Sequence, residues 1–213
     1  MKKPKVLLAD DHLILAEGVR GLLEPEFELV GIVSDGRELV VAATKLRPDV
    51  IVTDIAMPSL NGIEAVAQIR RAGVSCPVVF LTMQRDVSYA RRALEAGASG
   101  YVLKHSALDE LVKAIREALR GQTYVTPLIA GELLRSYREE GPQPSNAALR
   151  LTPRQREILQ LAAEGRSAKE VASLLHISPR TAEYHRARVM KALGLRTTAE
   201  LVQYAIRNGL ISV

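Results

Sequence analysis

Asp10, Asp11, Asp54, Thr82 and Lys104 are the residues of this chain whose types could do chemistry together. Each stands at or just beyond the end of a short apolar run. Clustered carboxylates repel unless a cation neutralises them. Their hard oxygens suit Mg²⁺, which takes one or two carboxylates together with water and phosphate oxygens. A hydroxyl and an ammonium are what an incoming phosphoryl group needs around its own oxygens. A carboxylate is also a competent nucleophile and forms aspartyl phosphates. The set points to phosphoryl acceptance on an aspartate, with Mg²⁺ as the cation. A single aspartate at a strand end reads more simply as a helix cap, but five such residues at the ends of runs do not.

The elements that must bring them together are legible. The runs Lys5–Ala9, Phe27–Val33, Val50–Thr53, Val78–Leu81 and Tyr101–Leu103 are rich in Val, Ile and Leu, as strands buried on both faces should be. Helical patterns separate them, and three begin with a capping side chain three residues before an acid: Asp35 with Glu38, Asn61 with Glu64, and Ser106 with Asp109. Repeated β-α units imply an α/β parallel sheet wrapped by helices on both faces; the form expected is a flavodoxin-like, five-stranded sheet of order 2-1-3-4-5. In that order the first and third strands are neighbours at the topological switch point, so Asp10, Asp11 and Asp54 converge there.

The pattern breaks after Arg120–Gly121. A helix is predicted over about 128–138, and Glu139–Arg150 has the Gly, Pro and Ser content of a linker. The expected organisation is a first domain over 1–121, a linker over 122–150 and a second domain over 151–213. The last part contains four short helices, announced by Thr152-Pro153, Ser167, Ser178-Pro179 and Thr197. It reads as a small all-α four-helix domain. The net charge of +5 falls entirely after residue 125, the preceding part being neutral. Such asymmetry is a weak pointer to nucleic acid.

Within this basic part, helices over about 168–175 and 179–192 are joined by His176-Ile177-Ser178, a helix-turn-helix whose second helix enters the major groove. The DNA-contact candidates on it are Arg180, Thr181, Glu183, Tyr184, Arg186, Ala187, Arg188 and Lys191. Thr181, His185, Val189 and Leu193 recur at helical spacing as candidates for the inward face.

Composition excludes other classes. The 213 residues are 47% hydrophobic and 25% charged, which is globular composition. A lone cysteine, Cys76, excludes a disulfide framework and a four-cysteine zinc site. The run Val6–Ala9, ended by Asp10, is too short for a signal peptide, and no apolar stretch approaches the ~20 residues of a membrane span. A cytoplasmic protein with no membrane partner is expected. Met57 reads as a loop packing residue, since a thioether is too soft for Mg²⁺. His12 reads as a helix-start residue, and Cys76 as a buried residue without a partner base.

The first 121 residues resemble the receiver domain of two-component response regulators. The match is carried by ADDH (Ala9–His12), TDIAMPSLNGIE (Thr53–Glu64), LTM (Leu81–Met83) and GYVLKHSALDEL (Gly100–Leu111). The resemblance implies that Asp54 is the phospho-acceptor. It makes Asp11 a direct Mg²⁺ ligand and Asp10 one acting mainly through water, with Asp54 and the backbone carbonyl of Ala56 completing the set. It implies that Thr82 and Lys104 hold the phosphoryl oxygens and that Tyr101 is an aromatic switch that turns inward. Many receivers have a proline after the lysine, joined by a cis peptide. His105 stands there, so no cis bond is expected. Ala56 and Gln84 occupy positions that tune phosphate lifetime in receivers.

Leu151–Ile211 resembles the LuxR-type DNA-binding domain, and the whole chain resembles a NarL/FixJ-type response regulator. That implies a sensor histidine kinase and double-stranded DNA as partners, with a homodimer when phosphorylated or DNA-bound. The helix over about 198–208 would form the DNA-bound dimer contact. It implies a transcription regulator and not an enzyme. Two other readings stay open. One is an Asp-nucleophile phosphohydrolase, although Ala56 stands where such enzymes carry a second aspartate. The other is a regulator working through protein contacts without phosphorylation.

Overall fold

A computed structural model describes residues 2–139 and 151–211. Strands β1 (Lys5–Ala9), β2 (Glu28–Val33), β3 (Val50–Thr53), β4 (Val78–Thr82), β5 (Gly100–Leu103) and β6 (Tyr124–Val125) form one sheet of order 2-1-3-4-5-6. Every pairing is parallel. Helices α1 (Leu13–Leu23), α2 (Gly36–Leu46), α3 (Gly62–Arg71), α4 (Val87–Glu95) and α5 (Ala107–Leu119) connect successive strands or follow the fifth.

Alternation along the strands splits the core in two, as a period of two requires. Leu7, Ile51, Phe80 and Tyr101 face α2, α3 and α4. Val6, Leu8, Val52, Val79, Leu81 and Val102 face α1 and α5. β1, β3, β4 and β5 are buried nearly throughout, as their unbroken apolar runs predict. β2 is the exception. It is an edge strand, half-exposed along its length, so its apolar run does not mark burial on both faces.

The expected five-stranded sheet is corrected to six strands. Tyr124 pairs with Gly100 and Val125 with Tyr101, too short a run to stand out by periodicity. The segment 122–139, read from sequence as linker, is folded onto the first domain. β6 extends the sheet, and α6 (Pro127–Glu139) buries Ile129 and Leu133 in the core that holds α4. The predicted helix over 128–138 is this α6. The rest of the predicted linker, 140–150, lies outside the described residues.

Most predicted caps form. Asp35 accepts from Arg37 N and Glu38 N, and Asn61 accepts from Glu64 N. Ser106 makes no side-chain cap, because Lys104–Ser106 winds as a 3₁₀ turn leading directly into α5. The peptide at His105 is not cis, as expected.

The C-terminal part contains α7 (Pro153–Ala163), α8 (Ala168–Leu175), α9 (Pro179–Leu193) and α10 (Thr198–Arg207). Thr152, Ser167 and Thr197 each close a reciprocal capping box, with Gln155, Glu170 and Glu200 respectively, and Ser178 caps α9 through Thr181 N. His176 ends α8 in the left-handed region at φ 52°, which turns the chain into α9. No helix among the described residues is long and apolar enough to cross a membrane.

Candidate functional site

Ala9 pairs with Thr53 across β1 and β3, so the residues that follow, Asp10 and Asp54, emerge side by side. Lys104 leaves the end of β5 and reaches back to both. Its Nζ lies 2.6 Å from Asp54 Oδ2 and 2.8 Å from Asp10 Oδ2. All three residues are buried. Burial pushes the Asp54 carboxyl above its ordinary pKa, and Lys104 works against that shift. Burial alone would lower Lys104, but Asp54 and Asp10 more than reverse it and hold the ammonium above its ordinary value. One cation is thus locked between two anions.

Backbone donors complete the frame. Asp54 Oδ1 accepts from Ile55 N at 2.5 Å and from Ala56 N at 3.4 Å. Asp10 Oδ1 accepts from His12 N at 2.9 Å. Thr82 Oγ1 accepts from Gln84 N at 3.3 Å, which leaves its hydroxyl hydrogen to donate elsewhere. The hydroxyl of Tyr101 donates to Gln84 O at 2.8 Å. Thr82 and Tyr101 are therefore joined through the backbone of Gln84. Tyr101 is fully buried.

Asp10, Asp11, His12 and Asp54 bring potential ligand atoms within 4.8 Å of one another. Asp11 Oδ1 is buried and accepts no hydrogen bond, although His12 Nδ1 lies 2.9 Å away. A buried carboxylate oxygen without a donor, beside two further carboxylates, is the donor set a hard divalent cation requires. The residues present fit Mg²⁺. The His12 side chain is 55% exposed and starts α1 without capping it through its side chain. Met57 is buried in the core, as its loop-packing role predicts. Cys76 is half-buried, and burial pushes its thiol up to about 11, which makes it a poor nucleophile.

The second candidate surface is on α9. Arg180, Glu183, Tyr184, Ala187, Arg188 and Lys191 are exposed and recur at helical spacing, so they form one stripe. The Arg188 guanidinium lies over the Tyr184 ring, 5.7 Å from its centroid. Two candidates sit off the stripe. Thr181 is half-buried, with its Oγ1 2.8 Å from Ser178 Oγ at the helix start. Arg186 is half-buried and donates through Nη2 to Thr198 Oγ1 at 2.9 Å, which ties it to α10. The inward face is built on Ala182 and Val189, with Thr181, His185 and Leu193 only half-buried.

Residues 6–116 match the family described as the response regulator receiver domain, and residues 149–205 match bacterial regulatory proteins of the luxR family. The chain belongs to the two-component response regulators with a LuxR-type DNA-binding domain. The regulator is 37% identical, over 99% of its length and 96% of the relative's, to the transcriptional regulatory protein MctR of Rhizobium johnstonii. Its structure is similar to that of the Salmonella typhimurium RcsB response regulator, with a TM-score of 0.66 at 27% identity and full coverage of both chains. It is also similar to RcsB solved as two dimers bound to two parallel DNAs, with a TM-score of 0.60 at 28% identity, covering 95% of this chain and 98% of that one. This is a family of transcriptional regulators, and its receiver domains bind Mg²⁺ in the acidic pocket.

In this regulator the two domains meet through a polar seam that sequence reasoning missed. Gln160 on α7 is 1% exposed. Its Oε1 accepts from Asn61 N at 2.8 Å and its Nε2 donates to Met57 O at 2.7 Å. Glu164 Oε1 accepts from Ser59 N at 2.9 Å. Glu157 accepts from Gln68 Nε2 at 3.0 Å, and Arg156 pairs with the buried Glu64. At the other end, Tyr89 donates through its hydroxyl to Arg207 O at 3.1 Å. Glu157, Gln160 and Glu164 recur at helical spacing, which in sequence is indistinguishable from a solvated face.

Proposed function

We propose that this regulator is phosphorylated on Asp54 by a sensor histidine kinase, with Mg²⁺ in the acidic pocket, and that it then controls transcription by binding specific DNA as a dimer. The observation that carries the reading is the convergence of Asp10, Asp54 and Lys104 at one end of the sheet, with Thr82 following at the end of β4. An oxygen of Asp54 attacks the phosphorus of the donor, forming the P–O bond as the bond to the kinase's histidine nitrogen, or to an acyl phosphate oxygen, breaks. Lys104 then transfers its contact from Asp54 to a phosphoryl oxygen, and the free hydroxyl hydrogen of Thr82 meets another. Asp10, Asp11, Asp54 and the carbonyl of Ala56 would hold Mg²⁺, which supplies the neutralising charge when bound.

The new charge acts on Thr82, and through Gln84 on Tyr101. On α9, Arg180, Glu183, Tyr184, Ala187, Arg188 and Lys191 face the groove, while Thr181 holds the helix's own Ser178 cap and Arg186, beside its contact to DNA, ties α9 to α10. The RcsB dimers on DNA support the dimeric reading, and the resemblance to the LuxR-type domain assigns the contact between copies to α10. The domain boundary falls within 140–150, and the protein works in the cytoplasm, where kinase and DNA are both accessible.

The test is enrichment of genomic DNA fragments on the purified protein, with and without Mg²⁺ and a small phosphodonor, alongside Asp54→Ala. Fragments enriched only after phosphorylation, and lost in Asp54→Ala, are the expected result. Stable phosphorylation of Asp54→Ala at the wild-type stoichiometry would overturn the assignment. Enrichment independent of phosphodonor would favour regulation through protein contacts.

A further inference from the structure

Three of the hydrogen bonds between the domains fall on one short loop. Between β3 and α3 the chain runs from Asp54 to Asn61, and it carries both the phospho-acceptor and the neighbouring Ala56. Part of this loop is held from within. Gly62 N donates to Ile55 O at 2.8 Å and Leu60 N to Pro58 O at 2.7 Å. Ser59 adopts a left-handed conformation at φ 66°, unfavourable for a residue with a Cβ. Three further polar groups, Met57 O, Ser59 N and Asn61 N, find their partners on α7 of the DNA-binding domain and on Glu164, which caps its C-terminus. A buried backbone group must be paired. The amide of Gln160 supplies one donor and one acceptor at the right separation to serve Met57 O and Asn61 N together.

The seam leaves the DNA-facing surface open. Arg180, Glu183, Tyr184, Arg188 and Lys191 remain exposed while α7 is docked. What docking constrains is thus the acceptor loop, and the recognition helix stays uncovered.

We propose that Gln160 is a positioning residue for the acceptor pocket, acting from the other domain. By fixing Met57 O and Asn61 N it holds the loop in the conformation that presents Asp54 and the carbonyl of Ala56 to Mg²⁺. The inference rests on the phospho-acceptor reading above. A loop already ordered binds its ligand more tightly than one that must be ordered on binding. By linkage, whatever lifts α7 from the loop weakens Mg²⁺ binding, and Mg²⁺ strengthens docking by the same factor.

The experiment is calorimetric titration of MgCl₂ into the full-length wild type and Gln160→Ala, with melting curves on the same samples. The variant is expected to bind Mg²⁺ at least about fivefold more weakly, the lower end of typical coupling between sites. A residue that merely packs would move the melting curve and leave the Mg²⁺ affinity alone. Should Gln160→Ala fail to fold, Gln160→Glu has nearly the same shape and keeps an acceptor for Asn61 N. It removes the donor to Met57 O and should weaken Mg²⁺ binding in the same direction. Equal affinities in wild type and variant overturn the role of Gln160 while leaving the pocket intact. Absence of Mg²⁺ binding in the wild type overturns the pocket reading and this inference with it.

Discussion

Lys104 Nζ lies 2.6 Å from Asp54 Oδ2, with both side chains 4% exposed, and the same ammonium also holds Asp10. Removing one partner of a buried pair leaves the other charge uncompensated, and here two carboxylates would be left facing each other. Lys104→Met is expected to lower stability by about 2 kcal/mol or more at neutral pH. Mg²⁺ should raise the melting temperature of the variant more than that of the wild type, since it replaces a lost positive charge. Equal Mg²⁺ effects in a thermal melt would count against the shared site.

The acceptor loop also depends on a glycine. A Cβ at Gly62 would lie 2.0 Å from Asp54 O, a backbone atom that cannot yield without moving the acceptor itself. Gly62→Ala is expected to destabilise the fold by about 1–3 kcal/mol, the usual range for forced overpacking. It should also reduce phosphoryl incorporation from a small donor. Chemical denaturation and a phosphorylation time course check the two effects separately.

On the DNA-facing stripe, charge and structural support separate. Arg188 is exposed, so Arg188→Ala should weaken DNA binding and reduce the slope of log affinity against log salt by about one if it meets a phosphate. Arg186 donates to Thr198 Oγ1. Arg186→Ala is therefore expected to reduce stability by about 0.5–1 kcal/mol, the worth of one such bond, alongside its effect on affinity. A salt series on a bound fragment, paired with a melt of each variant, distinguishes the two residues.

The seam should respond to pH through Glu164. Burial raises this carboxyl above its ordinary value, and the Gln160 and Ser59 donors, Arg166 and Arg37 oppose the rise without cancelling it. A group whose pKa is raised on docking is more protonated docked than undocked. Its contribution to docking is therefore full below the ordinary carboxylate value and fades as pH rises through the raised one. Small-angle scattering from pH 7 downward to about pH 5 should show tighter association of the domains, and Glu164→Gln should flatten that dependence.

The sheet and pocket were legible because their signals are local. Unbroken apolar runs mark the buried strands, and Asp10, Asp54, Thr82 and Lys104 stand where those runs end. Seven helix starts follow from caps spaced against their partners, and all but Ser106 form as hydrogen-bonded caps. What escaped notice depends on tertiary context. β6 is two residues long and has no period to detect. Ala182 is a buried position on α9 that spacing did not single out. Glu157, Gln160 and Glu164 are polar residues at a spacing that promises solvent, yet the first two are buried against another domain. The Thr82–Tyr101 link runs through the main chain of Gln84, which no side-chain reading reveals.

β6 also decides what the sheet margin offers to foreign chains. An edge strand with free main-chain groups is a template for pairing and aggregation. Along β5 those groups are already taken: Tyr124 N donates to Ser99 O, Thr126 N to Tyr101 O, and Leu103 N to Thr126 Oγ1. Thr126 is itself anchored by donating to Glu110 at 2.7 Å, and Pro127, which has no N–H to offer, follows immediately. Tyr124 and Thr126 thus occupy the main-chain groups of the strand that carries Tyr101, and the edge is handed on to a strand only two residues long.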